Sequence, residues 1–428
     1  MSSQPFLPAG PVGAVPTALL RRRTSALTWV TMIVLGVGAL AIALVLVLTG
    51  GPVVAIVTTV LAAVSFPLLI AVCFWLDRYE PEPGRYRLAA LGWGAVVAVI
   101  LSFVAEQVLF ALPGTNDFVD TAVIAPFVEE AGKGLFLVVI VLFRRSQVHG
   151  LLDGIVYAGL VGIGFAFVED ILYYTASLSE GGGAALTFTF VLRGVMSPFA
   201  HPLFTSALGV GIGIAVSTRS AVLRWVAPPL GYLVAVLLHG IWNGSSFWGA
   251  QGFLFAYAAV MLPLLVIVLA LAIWARVREG RMLTAALQQT TALGWTRPEE
   301  IRWVSKLSDR MAARGYAQRV AGPRAKQTLR AFQQTLTEIA FLHLRALDGT
   351  APRDLNQRML MLLQHAAELR PYVILPPPPR PPASMPGRPG PGGYGYPAPL
   401  PRQPGGAPPP PPPPSYDAPP PGGWPGVR

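Results

Sequence analysis

The sequence has little charge for its length and almost no cysteine. Of its 428 residues, 12% are charged and 53% are apolar, whereas roughly a quarter of the residues of a soluble domain are charged. This composition excludes an ordinary soluble globule. The single cysteine, Cys73, excludes a disulfide framework and a cysteine-based zinc site. The sequence also lacks a nucleotide-binding glycine loop, a solenoid-type repeat and the HExxH zinc motif.

What the sequence does contain is a series of long apolar segments. Each has roughly the 20 residues that cross about 30 Å of hydrocarbon. We therefore predict an all-α polytopic membrane protein with about eight transmembrane helices. The sixth segment contains Pro198 and Pro202 and is predicted to break at Pro198, with the true crossing after the break. The segments are 26–49, 53–76, 88–112, 121–143, 152–174, 187–216, 228–247 and 252–275.

Basic residues between these segments predict the orientation. Short cytoplasmic loops collect lysine and arginine, and here arginines occur before the first segment and in every second loop after it, with none in the loops between. We therefore predict an integral protein of the plasma (inner) membrane with both termini in the cytoplasm. The arginines are Arg21, Arg22, Arg23, Arg78, Arg85, Arg87, Arg144, Arg145, Arg219, Arg224, Arg276, Arg278 and Arg281.

Composition divides the chain into four parts. We predict a cytoplasmic N-terminal segment (1–24), a transmembrane domain (25–275), a basic cytoplasmic helical region (276–372) and a disordered Pro/Gly-rich tail (373–428). The helical region has 16 Lys and Arg against 8 Asp and Glu, which suits either anionic lipid headgroups or a merely solvated surface. In the tail, 24 of 56 residues are proline, which is typical of a flexible tail or of a ligand for a proline-recognising cytoplasmic partner. Nothing in the sequence indicates a nucleic-acid partner.

A few ionisable and amide side chains interrupt the apolar segments. Such residues are costly inside a membrane and are functional candidates. Counting residues along segments that alternate in direction places them at a similar depth, in the outer half of the membrane. Asp170 is expected to be solvated at the outer rim. The set is Glu129, Glu130 and Lys133 in the fourth segment, Glu169 and Asp170 in the fifth, His201 in the sixth, and His239 and Asn243 in the seventh.

Two imidazoles and several carboxylates in one layer suit the activation of water. Glu169, His201 and His239 are predicted to hold a zinc ion, since two imidazoles and a carboxylate make a common catalytic zinc site. Glu129 or Glu130 is then the general base. Lys133 and Asn243 are supporting residues of the catalytic set. A direct glutamate mechanism without metal uses the same residues, and the structural alternatives are a buried ion pair with Lys133 and two satisfied core histidines.

These residues together resemble the motifs of the PrsW intramembrane proteases, a family distantly similar to CAAX prenyl proteases and bacteriocin-processing enzymes. The motifs occur in order over roughly residues 70–250, and the loop WLDRYEPEP at 75–83 also looks like that family's cytoplasmic loop. The resemblance implies a membrane-embedded peptidase acting on membrane proteins, with anti-sigma factors as the substrate class. The matching positions are Glu129, Glu130 and Lys133 for EExxK, Phe165 and Glu169 for FxxxE, the isolated His201, and His239 and Asn243 for HxxxN.

We therefore predict an intramembrane peptidase that hydrolyses a peptide bond of a membrane-anchored protein. A proton-coupled transporter is the alternative, because intramembrane Glu, His and Lys also form proton relays. A transporter usually has matching broken helices in two half-repeats, whereas only the segment 187–216 shows such a break here. A non-catalytic scaffold acting through the proline-rich tail leaves the polar layer unexplained.

Overall fold

The structure, a computed structural model, describes residues 26–79, 82–352 and 354–377, and its regular elements there are all helices. The predicted segment 1–24 and residues 378–428 of the predicted tail lie outside these described residues. The prediction of an all-α chain is confirmed for the described residues. The helices of eight or more residues are α1 (Ala26–Ala62), α2 (Phe66–Leu76), α3 (Gly84–Gly92), α4 (Val99–Leu109), α5 (Ala125–Arg144), α6 (Leu151–Phe190), α7 (Ala200–Ser217), α8 (Ala221–Ser245), α9 (Leu262–Ala292), α10 (Pro298–Ser305), α11 (Leu307–Leu347) and α12 (Leu355–Leu369).

Short helical turns and glycine kinks connect or interrupt these helices. Three long helices bend where a glycine has a positive φ, α1 at Gly51 (φ 78°), α6 at Gly182 (φ 66°) and α11 at Gly322 (φ 78°), because glycine adopts this backbone conformation without steric cost. After α6, a π-helical turn leads to non-helical backbone at Ser197, so the chain breaks next to Pro198 as predicted. The short turns are Trp93–Ala98, Asp117–Val119, Asp120–Ile124, Arg145–Gln147, Val191–Met196, Ser246–Trp248, Gly249–Phe255, Ala256–Met261 and Arg370–Tyr372.

Long apolar stretches with lipid-compatible surfaces identify an integral membrane protein. Among the described residues, four helical stretches are long and apolar enough to cross a membrane. Helix α5 is not one of them, because it carries Glu129, Glu130, Lys133 and Arg144. Many large apolar side chains on these stretches are exposed, among them Leu40, Leu48, Val53, Leu68, Phe103 and Trp225, as expected of a surface that faces lipid. The four stretches are Trp29–Leu76, Gly84–Leu109, Leu151–Ser217 and Ala221–Ala292.

Contacts between helices show which neighbours run in opposite directions. The Thr58 and Thr175 hydroxyl oxygens are 3.2 Å apart, and the rings of Phe66 and Phe167 are 4.8 Å apart between centroids. As the chain advances from Thr58 on α1 to Phe66 on α2, the residue contacted on α6 moves back from Thr175 to Phe167. These contacts make α6 antiparallel to α2 and to the part of α1 that follows Gly51.

Helix α6 lies at the centre of the apolar core and runs antiparallel to α7. Most of its residues from Leu152 to Tyr174 are buried. A Cβ atom on Gly154 would lie 2.1 Å from the backbone oxygen of Gly209, and one on Gly162 would lie 2.8 Å from that of His201. Larger residues at these two positions would force the helices apart. Glycine on α6 therefore allows His201 on α7 to lie close to the residues of α6.

The helices that follow the apolar part form a second core, which contacts the loop after α2. Leu283 and Leu287 of α9 pack with Phe332 and Leu336 of α11. The buried Arg310 donates from Nη1 to the backbone oxygen of Tyr79 at 2.9 Å. Apolar residues of α11 that recur every three or four positions are all buried, at Leu329, Phe332, Leu336, Ile339 and Leu342.

Candidate active site

Helix α5 brings three ionisable side chains to one buried face. It begins just before Pro126, which suits the first turn of a helix because proline has no N–H to leave unpaired. Glu129 and Glu130 lie four and three residues before Lys133, and all three side chains are buried. The Lys133 Nζ atom donates to Glu129 Oε2 at 3.0 Å and to Glu130 Oε1 at 2.9 Å. It also lies 3.0 Å from His201 Nδ1 on α7. The ammonium group thus joins α5 to α7.

Both oxygens of the Glu130 carboxylate are already engaged. Its Oε2 accepts a hydrogen bond from the Thr205 hydroxyl at 2.9 Å, and its Oε1 lies 3.1 Å from His239 Nδ1. The Oε1 atom also accepts from Lys133. Glu130 therefore holds His239 by one ring nitrogen and leaves the other, Nε2, directed elsewhere.

Glu129 faces both histidines. His239 Nε2 is 3.8 Å from Glu129 Oε2. The rings of His201 and His239 are 5.1 Å apart between centroids, and the ring of Phe204 stacks on His239 at 4.9 Å. Glu129, His201 and His239 each offer one potential ligand atom, and these atoms all lie within 4.8 Å of one another. The three residues form what we call the central group.

Glu169 lies outside the central group, on the opposite side of His201. Its Oε2 atom pairs with His201 Nε2. The same carboxylate oxygen accepts from Arg193 Nη2, while Arg193 Nε donates to Asp170 at 2.6 Å. The sequence-based hypothesis gave Glu169 the role of carboxylate ligand. The geometry instead brings Glu129 next to the two imidazoles.

The donor set of the central group fits a metal ion. Two imidazoles and one carboxylate match the three protein ligands of many catalytic zinc sites. Histidines that bind a metal usually donate their other ring N–H to a carboxylate, which fixes the tautomer and the ring. Here Glu130 contacts Nδ1 of His239 and Glu169 contacts Nε2 of His201. Each histidine therefore has a carboxylate that can hold it in this way.

Asn243 lies one helical turn after His239, as its spacing predicts, but its amide contacts another helix. Asn243 Nδ2 donates to the backbone oxygen of Thr121 at 3.1 Å. This bond ties the end of α8 to the segment that leads into α5. The side chain also lines a cavity together with His201. Asn243 is therefore near the imidazole layer without holding His239.

The sequence did not indicate that Thr205 and Arg193 contact the site, and it predicted the wrong surroundings for Asp170. Thr205 follows His201 by four residues and so shares its face of α7, but a threonine is too common in membrane helices to attract attention. Arg193 lies within the sixth apolar segment, and nothing in its sequence context indicates that it pairs with two carboxylates. Asp170 was expected to be solvated at the outer rim, yet it is 5% exposed and paired with Arg193. The partner arginine, 23 residues later in the chain, explains this burial.

Comparison with known proteins shows what this part of the chain is similar to. Residues 82–271 match the family model described as PrsW family intramembrane metalloprotease. Protease PrsW of Geobacillus kaustophilus (strain HTA426) is 27% identical over 201 residues, which cover 44% of this chain and 81% of that protein. Protease PrsW of Clostridioides difficile (strain 630) is 29% identical over 184 residues, or 41% and 74% of the two chains. For Protease PrsW of Bacillus subtilis (strain 168) the figures are 27% over 176 residues, 41% and 76%.

No solved structure matches the chain. The matched residues contain the four motifs and the whole hydrogen-bonded layer around Lys133, whereas α10, α11 and α12 lie beyond them. The relatives are all named proteases, in agreement with a buried site suited to the activation of water. The resemblance indicated by the sequence motifs is therefore confirmed: residues 82–271 are similar to the PrsW family of intramembrane metalloproteases, which supports an intramembrane protease.

Proposed function

We propose that this protease hydrolyses a peptide bond of single-span, anti-sigma-factor-like membrane proteins, with zinc held by Glu129, His201 and His239. The observation that carries the proposal is the central group, in which one ligand atom from each residue lies within 4.8 Å of the others. The substrate class comes from the family resemblance. The choice of zinc comes from the ligand types.

The proposed mechanism gives each side chain one task. Glu129, His201 and His239 would hold the zinc ion, which when bound would supply Lewis-acid activation of the substrate carbonyl and of an attached water. Glu129 has two carboxylate oxygens, so it can hold the ion with one and accept the proton of the attacking water with the other. That proton passes to the leaving nitrogen as the C–N bond breaks. Lys133 fixes Glu129 through its 3.0 Å hydrogen bond.

The remaining residues orient the reacting groups. Glu130 holds His239 by Nδ1, and Glu169 holds His201 by Nε2. His239 would then bind the ion through Nε2, and His201 would bind it through Nδ1, which contacts Lys133 Nζ at 3.0 Å in this structure. Asn243 lines the cavity with His201 and is our candidate donor to the oxygen that becomes negatively charged when water attacks. Burial of this layer excludes bulk water and strengthens each of these interactions.

The proposal includes eight crossings of the inner membrane, with both termini in the cytoplasm and a peptidase domain over 25–275. The alternation of arginine-containing loops supports it. The antiparallel contacts of α6 with α2 and α7 also support it, since neighbouring crossings joined by short loops run in opposite directions. On this topology the central group lies in the outer half of the membrane.

Topology can be tested with the chain's single cysteine removed. In a Cys73→Ala background, Ser179→Cys is expected to react with an impermeant thiol reagent in intact cells, because Ser179 is exposed close to the Gly182 kink between two crossings. Ser217→Cys, exposed at the end of α7, is the control and should react only after lysis. The reverse pattern would contradict the orientation and the depth argument.

No observation favours the transporter alternative, and the relatives are named proteases. Cleavage itself is tested by incubating the purified full chain, in lipid vesicles, with a panel of single-span membrane proteins that includes anti-sigma factors. We expect cleavage of at least one member by the wild type and none by Glu129→Gln. Equal cleavage by both would show that a contaminating protease is responsible, and cleavage of none would contradict the proposed substrate class.

A further inference from the structure

A polar cavity lies beside His201, at the break between α6 and α7. It is small and partly open to the outside, with room for about one water molecule. Non-helical backbone at membrane depth is tolerated where it is buried in protein or lines a water-filled cavity, and the backbone at Ser197 is non-helical. The polar and aromatic residues of its wall are Asp170, Arg193, Ser197, His201, Trp242 and Asn243.

Arg193 is held on this wall in a way that leaves part of its guanidinium available. Its Nε and Nη2 atoms donate to Asp170 and Glu169, and its Cζ atom lies 4.1 Å from the centroid of the Tyr173 ring. The third nitrogen, Nη1, makes no hydrogen bond to any residue in the described parts of the chain. The side chain is 21% exposed. Arg193 is thus a fixed donor with one amino group unused.

The surroundings of Arg193 select the kind of ligand. Two carboxylates already balance the guanidinium, so an anionic ligand would meet repulsion from Glu169 and Asp170. A neutral carbonyl oxygen accepts a hydrogen bond without this penalty. A peptide backbone supplies such carbonyls, and His201 lies on the same wall.

We propose that this cavity is the aqueous entrance through which water reaches His201 from the outer side, and that Arg193 Nη1 donates to a carbonyl of the substrate's peptide. This inference rests on the proposed function. It adds a substrate-binding residue that belongs to none of the four sequence motifs. It also accounts for the helix break at Pro198, because a continuous helix would occupy the space of the cavity.

Access is tested without any substrate. In the Cys73→Ala background, Ser197→Cys on the cavity wall is compared with Val195→Cys, whose side chain is 59% exposed on the preceding turn. The probe is silver ion, added to the purified protein in lipid vesicles, and the remaining thiol is measured after denaturation. Thiols react as thiolates, which form in water and not in lipid, so we expect Ser197→Cys to react at least about tenfold faster.

Equal rates, or faster reaction of Val195→Cys, would overturn the aqueous entrance. If Ser197→Cys fails to fold, Ala166→Cys takes its place, because Ala166 lines the same cavity. The result does not depend on proteolysis. Failure of the cavity and failure of the proposed function are therefore distinguishable.

The role of Arg193 is tested by Arg193→Lys with the single-span protein that the wild type cleaves. Lysine keeps the charge but lacks the fork that binds two carboxylates and a third group at once. Because the hydrogen bond from this charged donor would be lost, we expect KM to rise about tenfold or more, with kcat within about threefold.

Tyr173→Phe is the matched control, since it keeps the ring under the guanidinium, and it should leave KM unchanged. An unchanged KM in Arg193→Lys would overturn the substrate contact. A fall in kcat alone would also overturn it, because Arg193 would then act only by holding Glu169 against His201.

Discussion

Replacing His239 by alanine is expected to abolish cleavage and to remove bound zinc together. The imidazole supplies one of about three protein ligands of such a site, and its Nε2 atom lies 3.8 Å from Glu129 Oε2. Without it, the water that attacks the peptide loses its activation, and activity should fall at least about a thousandfold. Cleavage assays and elemental analysis of the same purified sample measure both effects.

His201→Ala should behave in the same way, because His201 is the second imidazole of the central group. His343→Ala is the matched control, since His343 lies on α11 and contacts Gln289 instead. Wild-type protein that cleaves normally with no stoichiometric metal, and is unaffected by chelators, would exclude zinc and leave the direct glutamate mechanism.

The three glutamates of the layer are expected to differ when each is changed to glutamine. Glu129→Gln should lower cleavage roughly a thousandfold and reduce bound zinc, because Glu129 faces both histidines. Glu130→Gln and Glu169→Gln should lower zinc affinity and activity about 10–100-fold, which is typical when a residue that orients a ligand is changed. Metal titrations and cleavage rates of the three variants measure which substitution has the largest effect on zinc binding and on activity.

This comparison separates the two assignments of the carboxylate ligand. If Glu169→Gln loses zinc completely while Glu129→Gln keeps it, the sequence-based assignment of Glu169 is correct and Glu129 is only the base. Size-exclusion profiles of the variants control for folding. This control matters most for Glu130→Gln, because the substitution weakens the contacts of Glu130 with the buried Lys133 and Thr205.

The sequence predicted the depth of the functional residues in the membrane better than it predicted which side chains they contact. Helical rise and the alternation of crossings give the height of a residue in the membrane, which was enough to bring α5, α6, α7 and α8 together at one polar layer. Height does not give the direction in which a side chain points. Glu129 and Glu130 differ in height by one residue, yet one faces both histidines and the other is enclosed by Thr205 and His239.

Contacts distant in the chain explain most of what the sequence could not predict. The bond between Thr205 and Glu130 joins residues 75 apart, and the bonds of Arg193 to Glu169 and Asp170 cross the Gly182 kink. No local pattern specifies such pairs, since the first depends on how α5 packs against α7 and the second on how the chain after the Gly182 kink folds back along α6. The break at Pro198 was predictable because proline acts on its own helix.

The ion pairs of the polar layer have an electrical consequence for the whole membrane domain. Four carboxylates, on Glu129, Glu130, Glu169 and Asp170, are paired with two cationic side chains, Lys133 and Arg193. With all six groups ionised and both histidines neutral, the layer has two negative charges in excess. Isolated charge is costly inside a bilayer. A bound divalent cation would neutralise the layer, so loading the ion would stabilise the fold of the spans as well as complete the site.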